Sequence, residues 1–81
     1  MRKLTQTQID DEAIRRAFRA ASGILMKSTD DMAALLNISP STLYRRLRNP
    51  GEMTLAEFRR LEAMMRGVGI NWESIREGIR Q

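Results

Sequence analysis

The chain contains no cysteine and no histidine among its 81 residues. Disulfides, thiolate or imidazole metal sites and nucleophilic catalysis by either residue are therefore excluded. Adjacent acids occur at Asp10 and Asp11 and again at Asp30 and Asp31. Neighbouring side chains on a helix point about 100° apart and do not converge on a substrate. We therefore expect a protein that is not an enzyme and that uses no cofactor or metal.

Long apolar runs are also missing. No stretch approaches the roughly 20 residues of a membrane span, and Arg2 and Lys3 are not followed by the apolar segment of a signal peptide. We expect a cytoplasmic protein with no membrane partner. A length of 81 residues suits a single helical domain over 1–81 rather than two cores. The net charge of +4 suits a nucleic-acid partner.

The most informative segment is the run over residues 29–47, TDDMAALLNISPSTLYRRL. Its apolar residues recur at helical spacing up to Leu36, and Ser28 or Thr29 can cap the first exposed N–H groups. Asn37 tolerates a left-handed backbone, so the first helix is predicted to stop there.

A second helix is predicted to begin immediately after this turn. Ser39 is a good N-cap, and Pro40 loses no hydrogen bond at the first helical position. On the helix that follows, Leu43 and Leu47 fall on one side. The opposite side carries Ser41, Tyr44, Arg45 and Arg48. Such a helix buries its leucines and presents a polar, positive face, which suits the major groove of DNA.

This segment resembles the helix-turn-helix of the Cro and cI-type phage repressor family, also called the Xre family. The matching residues are Ala33, Leu36, Ile38, Ser39, Thr42, Leu43 and Arg45. The stretch NPGEMTL over residues 49–55 resembles the loop that follows in that family, and the similarity covers roughly residues 14–65. The resemblance implies an all-α, five-helix, lambda-repressor-like domain with its motif at about residues 29–48.

The resemblance also implies a function. We expect a sequence-specific double-stranded DNA-binding transcriptional regulator, acting as a repressor of phage or prophage type in a bacterial host cell. It would bind a palindromic operator as a homodimer. The expected DNA-binding residues are Lys27, Thr29, Ser39, Ser41, Thr42, Tyr44, Arg45, Arg46, Arg48 and Asn49. Lys27 and Thr29 are the phosphate candidates at the start of the first motif helix, where acids would repel phosphate.

Several basic residues have two interpretations. Arg46 either reaches a phosphate or pairs with an acid on a neighbouring helix. Arg48 either clamps the DNA backbone or simply complements the helix dipole. Arg2 and Lys3 form either an arm that follows a groove or a frayed terminus. The arginines of the first helix follow acids by one turn, which favours a salt-bridged, solvated face. They are Arg15, Arg16 and Arg19.

The rest of the chain predicts three further helices. The first spans about residues 10–22, with Gly23 as its stop, and residues 24–27 either extend it or pack beneath it. Thr54 and Glu57 form a capping-box signature for a fourth helix that ends near Gly67. A last helix, at about residues 72–80, begins at Asn71 as cap.

The rival interpretation is a protein-interaction module, either an antitoxin that binds a toxin or a phage protein that captures a host factor. Its binding surface would be the apolar residues near Trp72. Trp72 and Ile79 can equally pin the last helix to the core or form a two-fold dimer contact.

Overall fold

The structure, a computed structural model, describes residues 6–80. Within that range the chain forms five α-helices and one 3₁₀ turn, with no strand. The helices are α1 (Gln6–Leu25), α2 (Thr29–Leu35), α3 (Pro40–Arg48), α4 (Leu55–Gly67) and α5 (Trp72–Arg80), and the 3₁₀ turn (Pro50–Glu52) lies between α3 and α4. The prediction of a small all-α domain with five helices is confirmed. Of the helices described, none combines the length and the apolar character that crossing a bilayer requires.

The first helix is longer than the predicted residues 10–22. It begins at Gln6, passes through Gly23 without a break and ends at Leu25. The extra turn at its start lies against α5, where the Arg80 guanidinium donates a hydrogen bond to the Gln6 side chain. Tertiary contact therefore extends a helix whose local sequence predicts a later start and an earlier stop.

The sequence left open whether residues 24–27 extend α1 or pack beneath it. Ile24 and Leu25 extend α1, and Leu25 packs against the core. Ile24 is 56% exposed and Met26 is 91% exposed. The helix thus continues for two residues beyond Gly23, and Met26, the first residue after it, is exposed to solvent.

Three helices end on a residue with a left-handed backbone. These residues are Met26 (φ 54°), Asn37 (φ 59°) and Gly69 (φ 81°), after α1, α2 and α4 respectively. In each case two backbone N–H groups return to the last turn, as with Ile38 N–H to the carbonyl of Ala33 at 3.1 Å. This arrangement satisfies carbonyls that the helix leaves free. The predicted stop at Asn37 is confirmed.

Side-chain caps begin most of the helices. Ser28 Oγ accepts from the N–H of Asp31, and the Asn71 side chain accepts from the N–H of Glu73. At α4, both bonds of the predicted Thr54–Glu57 capping box are present. Of the two caps proposed for α2, Ser28 is the one used.

The core is formed by buried apolar residues of α1, α2, α3 and α4, and α5 packs along α1. The buried residues of the core are Ala13, Ile14, Ala17, Phe18, Ala21, Met32, Ala33, Leu36, Leu43, Leu61 and Met65. No polar or charged residue is buried among residues 6–80. The connection between α2 and α3 is held by the buried Leu36 and by the backbone N–H groups of Asn37 and Ile38, which bond carbonyls in the last turn of α2.

Candidate nucleic-acid interface

The start of α3 is fixed by two hydroxyl groups. Ser39 Oγ accepts from the N–H of Thr42 at 3.2 Å and donates to Thr42 Oγ1 at 2.8 Å. Pro40 follows as the first helical residue. The predicted cap is confirmed, and Ser39 and Thr42 use these groups to begin the helix.

The body of α3 has one apolar and one polar face. Leu43 is 1% exposed and Leu47 is half-buried against the core. Four residues at helical spacing face solvent on the other side, and we refer to them as the exposed stripe. They are Ser41, Tyr44, Arg45 and Arg48. The two faces predicted for this helix are therefore present in the structure.

The arginines of the exposed stripe have no partner within residues 6–80. Neither Arg45 nor Arg48 donates a side-chain hydrogen bond or forms an ion pair with any described residue. Tyr44, between them, is 50% exposed. The stripe therefore offers two free guanidinium groups and a phenol on a single helix face, held in place by the leucines behind it.

Arg46 differs from its neighbours. Its Nε donates to Glu57 Oε1 on α4 at 2.9 Å, and its Nη1 lies 3.9 Å from Glu52 Oε2. The side chains of Arg46 and Glu57 are only 19% and 14% exposed. Of the two roles left open for Arg46, the pairing with an acid on a neighbouring helix is the one that the structure shows.

One carboxylate oxygen of Glu57 links α3 to the start of α4. Its Oε1 also accepts the backbone N–H of Thr54 at 2.9 Å. The hydrogen bond from Thr54, followed by that from Arg46, lowers the pKa of the Glu57 carboxyl below its ordinary value of 4.5. The carboxylate is therefore ionised at neutral pH, and it joins the end of α3 to the start of α4.

The remaining candidates lie around the ends of α2 and α3. Asn49 is exposed and caps α3, its N–H bonded to the carbonyl of Arg45 at 2.9 Å. Lys27 is exposed in the connection after α1. Thr29 is half-buried at the start of α2 and lines a groove together with Leu47. The structure thus brings Thr29 close to the end of α3.

Arg15 is the functional candidate that the sequence did not reveal. It was predicted to lie on a solvated, salt-bridged face, yet its Nε donates to the carbonyl of Leu47 at 2.8 Å and its Nη2 to the carbonyl of Arg48 at 3.0 Å. Arg16 matches the prediction, since it is exposed and paired with Glu12. The predicted salt bridge of Arg15 is present, since its Nη1 lies 3.4 Å from Glu12 Oε2. The prediction missed the contact with α3, which spans 32 residues of chain and which no local pattern signals.

Arg19 differs from the prediction in another way. It is exposed, and it has no salt-bridge partner among the described residues. It lines the same groove as Thr29 and Leu47. A guanidinium that is unpaired among the described residues therefore lies near Leu47, in the last turn of α3.

Trp72 is engaged within the chain. Its ring meets Phe58 edge-on at a centroid distance of 5.6 Å, and its Nε1 donates to Glu62 Oε2 at 2.9 Å. The guanidinium of Arg76 lies 5.0 Å from the ring centroid. Of the two roles proposed for Trp72, pinning α5 to the core is the one that the structure shows. Ile79 is half-buried on the same helix, and the dimer contact stays a prediction.

No protein-family model matches this chain, and comparisons with curated proteins and with solved structures found no match either. No group of three or more acidic side chains among residues 6–80 is placed to hold a metal ion. Arg2 and Lys3, the candidate arm, lie outside the described residues.

Proposed function

We propose that this chain is a sequence-specific double-stranded DNA-binding transcriptional regulator with a helix-turn-helix of the Cro and cI repressor type. The observation that carries the proposal is the exposed stripe of α3. Arg45 and Arg48 are charged, exposed and unpaired within residues 6–80, while Leu43 on the opposite face is fully buried. A rigid helix with this division can enter the major groove with its polar face toward the bases.

Within the groove, Arg45 is the residue best suited to reading a base. Its planar guanidinium can donate to O6 and N7 of one guanine, a pairing worth roughly 1–3 kcal/mol of discrimination. On the exposed stripe, Ser41 lies one turn before Arg45, and Tyr44 is next to Arg45 in the chain. Tyr44 can place its ring against a thymine methyl group, and Ser41 can donate to or accept from a base edge.

Backbone phosphates would be held from the flanks of α3. Arg48 and Asn49 close the helix, and Thr29 lies across the groove beside its last turn. Lys27 adds a further exposed cation. Contacts of this kind set register and supply most of the salt dependence, whereas the stripe supplies the specificity. Arg46 is assigned no DNA contact, because its guanidinium is paired with Glu57.

The proposed regulator is a repressor of phage or prophage type, acting in a bacterial cytoplasm as a homodimer on a palindromic operator. Two copies would place their α3 helices in successive major grooves, about 34 Å apart along the duplex. A protein bound in this way blocks access of the transcription machinery to an overlapping promoter. The rival role, capture of a toxin or host protein, draws on the apolar side chains near Trp72. We do not favour it because the Trp72 ring is packed within the chain.

The test is selection from a pool of randomised duplexes, carried out with the wild type, Arg45→Ala and Arg66→Ala. Arg66 is the matched control, since it is 62% exposed and its ion pairs are with Glu62 and Glu73, away from the stripe. The wild type should enrich a palindrome. Arg45→Ala should lose preference at one base pair of each half-site, by roughly 5- to 150-fold.

Arg66→Ala should enrich the same palindrome as the wild type. The proposal fails if the wild type enriches no sequence, or if Arg45→Ala and Arg66→Ala select identical sites. Failure of the wild type to enrich any site would turn attention to the protein-binding alternative.

A further inference from the structure

The Arg15 side chain on α1 hydrogen-bonds the last turn of α3. Arg15 donates from Nε to the carbonyl of Leu47 at 2.8 Å and from Nη2 to the carbonyl of Arg48 at 3.0 Å. The backbone of α3 otherwise lies mainly against α2 and the 3₁₀ turn. Arg15 is therefore the polar link between the longest helix and the end of the helix that carries the exposed stripe.

The chemistry of this contact is specific to arginine. The final carbonyls of a helix have no partner within it, and they form the negative end of the helix dipole. A guanidinium presents several N–H groups in a fixed fork, so it can satisfy two such carbonyls at once. Glu12 lies 3.4 Å from Nη1 of Arg15 and holds the fork in place. The Arg15 side chain is 29% exposed, and its bond to the carbonyl of Leu47 is partly buried.

We propose that Arg15 is a positioning residue for DNA reading. By fixing the carbonyls of Leu47 and Arg48, it sets the direction of the last turn of α3 relative to α1. The side chains of Arg45 and Arg48 both leave from that turn. The proposal rests on the proposed function and adds that base selectivity depends on a residue that need not touch a base.

The experiment compares Arg15→Met with Arg16→Met. Each variant removes one arginine from the same helix and a partner from the same acid, Glu12. Arg16 is 55% exposed, and its partner among the described residues is Glu12 rather than a group on α3. The two proteins therefore carry the same net charge and differ in the link to the end of α3. Binding is measured on the selected operator and on an unrelated duplex, over a salt series.

Arg15→Met should lower the ratio of operator to unrelated-duplex affinity roughly tenfold, the equivalent of weakening one base contact. Arg16→Met should leave that ratio unchanged. The slope of affinity against salt should be the same for both variants. Equal ratios for the two variants would overturn the proposal. A slope lower by about 0.9 for Arg15→Met alone would also overturn it, since Arg15 would then be a phosphate ligand.

A second readout separates this proposal from the proposed function. In the free protein, hydrogen exchange of the Asn49 amide reports the last turn of α3, because that amide bonds the Arg45 carbonyl at 2.9 Å. Exchange should be faster in Arg15→Met and unchanged in Arg16→Met. Faster exchange in a protein whose wild type selects no DNA would refute the function and leave the link standing. If Arg15→Met does not fold, Arg15→Lys keeps the charge, loses the fork and is tested in the same way.

Discussion

Replacing Arg46 should destabilise the protein without removing a DNA contact. Arg46 on α3 and Glu57 on α4 share a hydrogen bond of 2.9 Å, and the two side chains are 19% and 14% exposed. Arg45, its neighbour, is exposed and unpaired within residues 6–80. Arg46 is thus paired within the chain, whereas Arg45 is the proposed base reader, so each serves as the control for the other.

The size of this destabilisation follows from the hydrogen bond between Arg46 and Glu57. A hydrogen bond to a charged group contributes about 1.5–3 kcal/mol when it is shielded from water. In Arg46→Met that bond is lost, while the Glu57 carboxylate keeps its bond from the N–H of Thr54. We therefore expect unfolding free energy to fall by about 1.5–3 kcal/mol. For a chain of this length, such a loss lowers Tm by roughly 6–24 °C.

The assay is thermal unfolding followed by circular dichroism, with Arg45→Met as the control. Arg45→Met should melt within about 2–4 °C of the wild type, since exposed substitutions change stability by less than about 0.5 kcal/mol. Binding of Arg46→Met to the selected operator, measured well below its Tm, should keep the salt slope of the wild type. Equal Tm values for the wild type and Arg46→Met would refute the reasoning. A reduced salt slope for Arg46→Met would show that Arg46 holds a phosphate.

The contact between Arg46 and Glu57 should also make the stability of the protein depend on pH. The pKa of Glu57 lies below its ordinary value of 4.5 in the folded protein, because the N–H of Thr54 and the Arg46 guanidinium stabilise the carboxylate. A group with a lowered folded pKa contributes its full stability above the unfolded value and loses it as pH falls through the folded value. Wild-type stability should therefore drop below about pH 4.5, and Glu57→Gln should lose less over that interval. Parallel curves for the two proteins would contradict this account.

Two predictions concern the ends of helices. Ser39→Ala removes the cap of α3 and should lower unfolding free energy by about 1 kcal/mol in urea denaturation, whereas exposed Ser41→Ala should have little effect. Equal midpoints for those variants would argue against the cap. Met26→Gly should raise stability by about 1 kcal/mol, because Met26 has φ 54° and is 91% exposed. A lower midpoint would show that the methionine side chain makes a stabilising contact.

Much of the fold is visible in the sequence because its signals are local. Ser39, Asn37 and the Thr54–Glu57 pair each act within three or four residues of chain, and all of them lie where the sequence predicts. The two faces of α3 follow from helical periodicity in the same way. Local chemistry of this kind identifies the helix that carries the exposed stripe and the side of it that faces solvent.

The features that the sequence did not reveal depend on distant contacts or on a break in local preference. The extra turn of α1 is held by α5, and Arg15 reaches α3 across 32 residues. Met26 ends α1 in a conformation that favours glycine, so its residue type gives no warning of the turn. The sequence left two alternative roles open for Arg46, a phosphate contact or a pairing with an acid. Only the position of Glu57 on α4 distinguishes them.

The most direct test of the central claim is to map the DNA contact residue by residue, by titrating the selected duplex into isotope-labelled protein and following backbone amide resonances. The proposed function predicts that the largest changes fall on residues 41–49, with smaller ones near Thr29, and that α5 changes least. Changes centred on α5 and the Trp72 indole, with α3 unaffected, would contradict it.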